Sequence, residues 1–143
     1  MKHFAKLLSL PVLLAVSSLA QAQTPAPMPT PQVQTLVSGI KIVHTVVGTG
    51  AMPLPTDKVK VHYRGTLPSG VEFDSSYKEG NPAVFPLNKV IRCWTQALQH
   101  MKVGGKATLS CPAQLAYGAN GAGDAIPPNT PLTFDVELLG IEK

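Results

Sequence analysis

Tyr63, Phe73, Trp94 and Tyr117 are the side chains around which chemistry in this 143-residue chain is most readily built. They fall in three stretches: VKVHYRGTLPSGVEFD at Val59–Asp74, VIRCW at Val90–Trp94 and LAYG at Leu115–Gly118. A single carboxylate, Asp74, follows directly on one of those rings. An apolar cleft with aromatic walls and very few polar groups suits binding and desolvation. It does not suit acid–base work, which asks for two convergent titratable groups, and Asp74 has no evident mate.

The remaining reactive residue types are isolated. A zinc site needs three or four Cys, His or carboxylate ligands at suitable spacing. His44, His62 and His100 stand apart, and none pairs with a near cysteine. Each reads as a surface or structural residue, and no metal or other cofactor is expected. Cys93 is a conceivable nucleophile, but no histidine lies in a recognisable partner motif. GANGAG at 118–123 has the look of a nucleotide loop, yet no strand and helix flank it as a phosphate cradle requires.

The elements that must position these residues follow from periodicity. GIKIVHTVV at Gly39–Val47 alternates around Ile40, Ile42 and Val43 and predicts a strand, ended by glycines and by prolines 53 and 55. Val59, Val61 and Tyr63 share one face of a second strand, with Lys60, His62 and Arg64 on the other. Pro68-Ser69-Gly70 makes a turn, with Val71–Asp74 returning as a short strand and Ala83–Pro86 as another. Trp94, Ala97, Leu98 and Met101 form one helical stripe, predicting a short helix from about Arg92 to Met101, stopped by Gly104 and Gly105. Lys106–Cys111 and Leu132–Ile141 read as strands, and the Gly-, Asn- and Pro-rich segment 119–131 as a loop. One helix against five or six mostly antiparallel strands is an α+β arrangement.

The N-terminus is excluded from that fold. Lys2, His3 and Lys6 precede an apolar run from Leu7 to Leu19, and Ala20-Gln21-Ala22 has the small-x-small form of a cleavage site. Residues 1–22 therefore read as an export signal; the run is short for a membrane span and Pro11 interrupts it. Removing Lys2 and Lys6 takes the 12 basic residues to 10 against 8 acidic ones, about +2, with the cations scattered. Neither nucleic-acid binding nor membrane insertion is expected. Residues 23–35, with four prolines and no charge, read as an extended spacer, the alternative being a short ordered arm. Residues 36–143 then form one domain.

Six motifs now stand in order: Val59–Gly65 (VKVHYRG), Phe73-Asp74-Ser75-Ser76, Val90-Ile91 with Trp94, Ala116-Tyr117-Gly118, Ile126-Pro127-Pro128 and Phe134–Leu139 (FDVELL). With them the chain resembles the FKBP-type peptidyl-prolyl cis–trans isomerases over nearly all of residues 39–143. The resemblance implies a half-wrapped antiparallel sheet of about five strands, with one short helix across its concave face. It makes Trp94 the platform of the cleft, Tyr63, Phe73 and Phe134 its walls, and Val90 and Ile91 its rim, where the Ile91 N–H meets the ligand. Tyr117 would offer its hydroxyl to a ligand carbonyl, Asp74 would be the polar group nearest the reacting amide, and the 119–131 loop with Ile126 would cover one side. Tyr63, Asp74 and Tyr117 are thus the catalytic candidates. The implied partners are proline-containing polypeptides and macrolide inhibitors, and the implied state is a monomer in the periplasm of a Gram-negative cell. The alternative is a chaperone-like module that holds proline-containing segments with little turnover.

Some positions depart from the family pattern. Glu79 stands where many members have a basic residue near the aspartate. Ala83 replaces an aromatic wall and Ala125 a bulky apolar residue, changes expected to widen the cleft and weaken macrolide binding. Cys93 replaces the glycine usual before the tryptophan. Two cysteines, Cys93 and Cys111, in an exported chain favour a disulfide, the alternative being two buried thiols.

Overall fold

The computed structural model of the chain describes residues 30–143. The expected signal segment, 1–22, and spacer residues 23–29 lie outside the described residues. Seven strands form one antiparallel sheet: β1 (Gln32–Thr35), β2 (Lys41–Val46), β3 (Lys58–Thr66), β4 (Glu72–Ser75), β5 (Ala83–Pro86), β6 (Lys106–Cys111) and β7 (Leu132–Glu142). The order is β1-β2-β6-β7-β3-β4, with β5 sharing an edge of β3 with β4. One turn of helix, α1 (Ser76–Glu79), joins β4 to β5, and α2 (Arg92–Leu98) lies between β5 and β6.

The alternation read from the sequence becomes the core. Val59, Val61 and Tyr63 of β3 and Leu132, Phe134, Val136 and Leu138 of β7 are buried, with Ile42, Ala107 and Leu109 beside them. The helix contributes Cys93, Trp94, Ala97 and Leu98 to the same cluster. Burying each large apolar side chain contributes about 1.5–3 kcal/mol against chain entropy. Cys93, in the first turn of α2, is bonded to Cys111 at the end of β6, with Cα atoms 5.7 Å apart. The two-cysteine reading therefore resolves to the disulfide.

Three boundaries differ from expectation. The last four spacer residues are ordered as β1, paired with β2 so that Gln34 faces Ile42. Edge pairing uses backbone groups, and all four β1 side chains are exposed, so no burial pattern marks the strand. The helix α1 was not foreseen because four residues hold no periodicity, although Ser75 caps it and Gly80, at φ 76°, ends it. α2 closes at Leu98, and a turn carries Met101 into the core instead of a further helical turn.

Candidate active site

Tyr63 sits where the edge of β3 is interrupted. β7 pairs along the whole of one edge, Tyr63 with Val136, but on the other edge β5 pairs with residues 58–61 and β4 with residues 64–66, which leaves His62 and Tyr63 without a strand neighbour on that side. Ser76, the first residue of α1, fills the gap with one hydroxyl. Its Oγ accepts from the Tyr63 N–H at 2.8 Å and donates to the Tyr63 carbonyl at 3.3 Å. His62 Nδ1 lies 2.9 Å from the same oxygen. One hydroxyl, able to donate once and accept twice, thus ties the Tyr63 backbone to the His62 ring. His62 is held in turn by stacking on Tyr77, with ring centroids 4.6 Å apart.

Trp94 is the hub of the rings. Tyr63, Phe85 and Phe134 meet it edge-to-face, with centroids 5.1, 5.7 and 5.4 Å away. Phe73 packs on Phe134 at 5.6 Å. Such pairs add about 0.5–1.5 kcal/mol each beyond burial and fix ring orientation. Gly65 is required beneath them: a Cβ there would stand 2.5 Å from Phe73 Cζ and 2.9 Å from the Phe134 ring. The buried Trp94 Nε1–H has no hydrogen-bond acceptor among the described residues.

Over this hub opens a cleft of about 490 Å³. Tyr63, Phe73, Phe85, Val90, Ile91, Trp94 and Phe134 supply its apolar lining, and Asp74, Lys89 and Tyr117 its polar groups. The Tyr63 hydroxyl donates to Asp74 Oδ2 at 2.7 Å, and the Ser75 N–H donates to Oδ1 at 2.9 Å. Burial, and then the bond to Asp74, push the Tyr63 hydroxyl well above its ordinary value, so it stays a proton donor at physiological pH. Tyr117, 41% exposed, makes no side-chain hydrogen bond among the described residues and is free to donate. The Ile91 N–H is likewise unengaged. The rim is anchored from behind: Thr95 of α2 donates to the Leu87 carbonyl at 2.6 Å.

Of the expected site residues, Tyr63, Phe73, Asp74, Val90, Ile91, Trp94, Tyr117 and Phe134 converge on this cleft. Ile126 does not line it. The 122–126 turn closes on itself through paired backbone bonds of 2.9 and 3.1 Å, and Ile126 is buried in the core. Asp74 reaches the cleft from an exposed residue, with its carboxylate edge turned to Tyr63. Two residues beyond Ala83, Phe85 supplies an aromatic wall of its own, meeting both Tyr63 and Trp94. Phe85 and Lys89 were not among the expected site residues, and Ser76 stood only within a motif. Period two in Ala83–Pro86 puts Phe85 on the Ala83 face, a partial signal for it.

Comparison with known proteins agrees with this geometry. The family model described as FKBP-type peptidyl-prolyl cis-trans isomerase matches residues 50–139. The FKBP-type peptidyl-prolyl cis-trans isomerase FkpA of Aeromonas hydrophila is 54% identical over 111 residues, which are 78% of this chain and 41% of that protein. The crystal structure of a peptidyl-prolyl cis-trans isomerase from Pseudomonas syringae pv. tomato superposes with a TM-score of 0.73 at 42% identity, covering 83% of this chain and 84% of that one. FkpA from Escherichia coli gives a TM-score of 0.74 at 45% identity, covering 77% and 51%. The chain spans about half the length of the curated relatives it matches.

Proposed function

The chain belongs to the FKBP-type peptidyl-prolyl cis–trans isomerase family, and on that premise we propose that it accelerates rotation about X–Pro bonds in polypeptides. The observation that carries this reading is the cleft over Trp94, with four rings locked edge-to-face and few polar groups. The barrier to amide rotation is about 18–20 kcal/mol and arises from resonance. Twisting removes that resonance and its charge separation. An apolar cleft therefore disfavours the planar amide more than the twisted one, and this difference is catalytic without a nucleophile.

In this reading the proline ring rests on Trp94 between Tyr63, Phe73, Phe85 and Phe134. The Ile91 N–H and the Tyr117 hydroxyl hold substrate carbonyls. The Tyr63–Asp74 pair is the polar edge nearest the amide. A hydrogen bond from the N–H after proline toward the proline nitrogen assists the twist. Uncatalysed isomerisation takes tens to hundreds of seconds, slow enough to limit folding. Residues 1–22 support export to the periplasm, where a disulfide such as Cys93–Cys111 forms, and the protein acts there as a monomer.

The test is cis–trans exchange of Leu-Pro and Phe-Pro peptides with purified protein, with and without rapamycin. Acceleration that rapamycin abolishes is the expected result and assigns the activity to the cleft. Peptide binding by folded, oxidised protein without acceleration would replace the isomerase with a holding module.

A further inference from the structure

Lys89 is the one cation among the residues lining the cleft. It ends the 3-10 turn Leu87–Lys89, directly before the Val90–Ile91 rim, and is exposed. The ion pairs among the described residues join Arg64 and Lys78 to Glu72, so Lys89 has no carboxylate partner there. Arg92, just beyond the rim, is exposed and also unpaired. The carboxylate of the cleft is already engaged, because both Asp74 oxygens accept hydrogen bonds from within the domain. The cleft lining thus carries one unpaired cation, Lys89, at the Val90–Ile91 rim and one engaged carboxylate, Asp74, at the Tyr63 wall.

We propose that the cleft favours prolyl segments with an acidic side chain close to the X–Pro bond, and that Lys89 recognises that side chain. The inference rests on the isomerase reading and adds a substrate class to it. The aromatic lining contributes affinity for proline whatever the flanking charge, so discrimination falls to the rim. A lysine on a flexible stem can follow an incoming carboxylate while its own ammonium stays hydrated. The pair is solvent-exposed, so its effect is modest and sensitive to salt.

The test uses Leu-Pro peptides that differ in one residue, Glu, Gln or Lys, placed in turn before the leucine and second after the proline. At one of these positions the Glu peptide is expected to isomerise roughly two- to fivefold faster than the Lys peptide at low ionic strength. The ratio should approach one at about 1 M salt, where the Debye length is about 3 Å. It should fall below one in Lys89→Glu and lie between in Lys89→Gln. A ratio of one at both positions, or a ratio that Lys89→Glu leaves unchanged, overturns the proposal. Failure to accelerate even the Gln peptide would instead sink the isomerase reading. The Glu-to-Lys ratio is then read from dissociation constants of the same peptides, with the same expected and overturning results.

Discussion

The cleft over Trp94 and the hollow beside β1 are comparable in volume, about 490 and about 360 Å³, and differ in what builds their walls. The cleft is floored by aromatic rings that lock one another edge-to-face on Trp94. The hollow has no Phe, Tyr or Trp; aliphatic side chains such as Val33, Val46, Val47 and Met101 line it together with Gln34, His44, His100 and Lys102. Gln34 bridges the histidines at 3.3 Å to His100 and 3.5 Å to His44, both exposed contacts. Neither size nor the share of polar lining separates these regions; the interlocked rings do, because only the cleft offers a fixed, flat apolar floor on which a proline ring could rest.

The largest effect is expected at the cleft hub. Trp94→Ala removes the shared partner of three rings and should cost about 3–5 kcal/mol in urea unfolding, together with most isomerase activity. Because that variant can unfold, Trp94→Leu is the sharper probe: it keeps apolar bulk, and kcat/KM should still drop roughly tenfold or more with the lost ring contacts. Retained activity in a folded Trp94→Leu protein would erase the distinction between the two regions. Next comes the Cys93/Cys111 double serine variant, expected to lose about 3 kcal/mol by denaturant titration as the constraint on the unfolded chain is released. Activity should fall less than stability, since neither cysteine lines the cleft.

Tyr63→Phe tests the polar edge of the cleft. It removes a hydrogen bond to a carboxylate, worth about 1.5–3 kcal/mol, and should lower kcat/KM by a similar free energy. The folded-state value of Tyr63 lies above its ordinary 10.0, so its contribution to stability is complete below pH 10 and lost as pH rises beyond it. Alkaline unfolding of Tyr63→Phe should lack that component.

The smallest effect belongs to the hollow. Burial, then the nearby His100, lower the His44 value below 6.5. Its contribution to stability is therefore complete above pH 6.5 and lost as pH falls. His44 pairs with Gln32 of β1, so that loss falls on the edge strand. Amide exchange in Gln32–Thr35 should quicken in mild acid, while His44→Gln leaves isomerase activity unchanged. A drop in activity with His44→Gln would couple the two regions.

The convergence of Tyr63, Phe73, Asp74, Trp94 and Phe134 was legible because they lie on elements whose periodicity or family motif fixes their facing. Phe85 lies on a strand that was legible, but a four-residue edge strand does not show which of its faces meets the cleft. Ile126 was misplaced because a loop without periodicity carries no facing information. Ser76 was quoted only as part of a motif; its role depends on a gap between β4 and β5 that pairing register creates.

By itself, the sequence determined which faces are apolar, where the helix and most strands run, and that the aromatic residues come with a single adjacent carboxylate rather than a convergent acid–base pair. Those properties follow from residue type and local period. Only the tertiary structure decided that Ser76 completes the broken edge at Tyr63, that Phe85 closes the wall and Ile126 retreats to the core. It also joined Cys93 to Cys111 and paired residues 32–35 as an edge strand. Each of these depends on distances between segments far apart in the chain, and such distances are set by packing rather than by local preference.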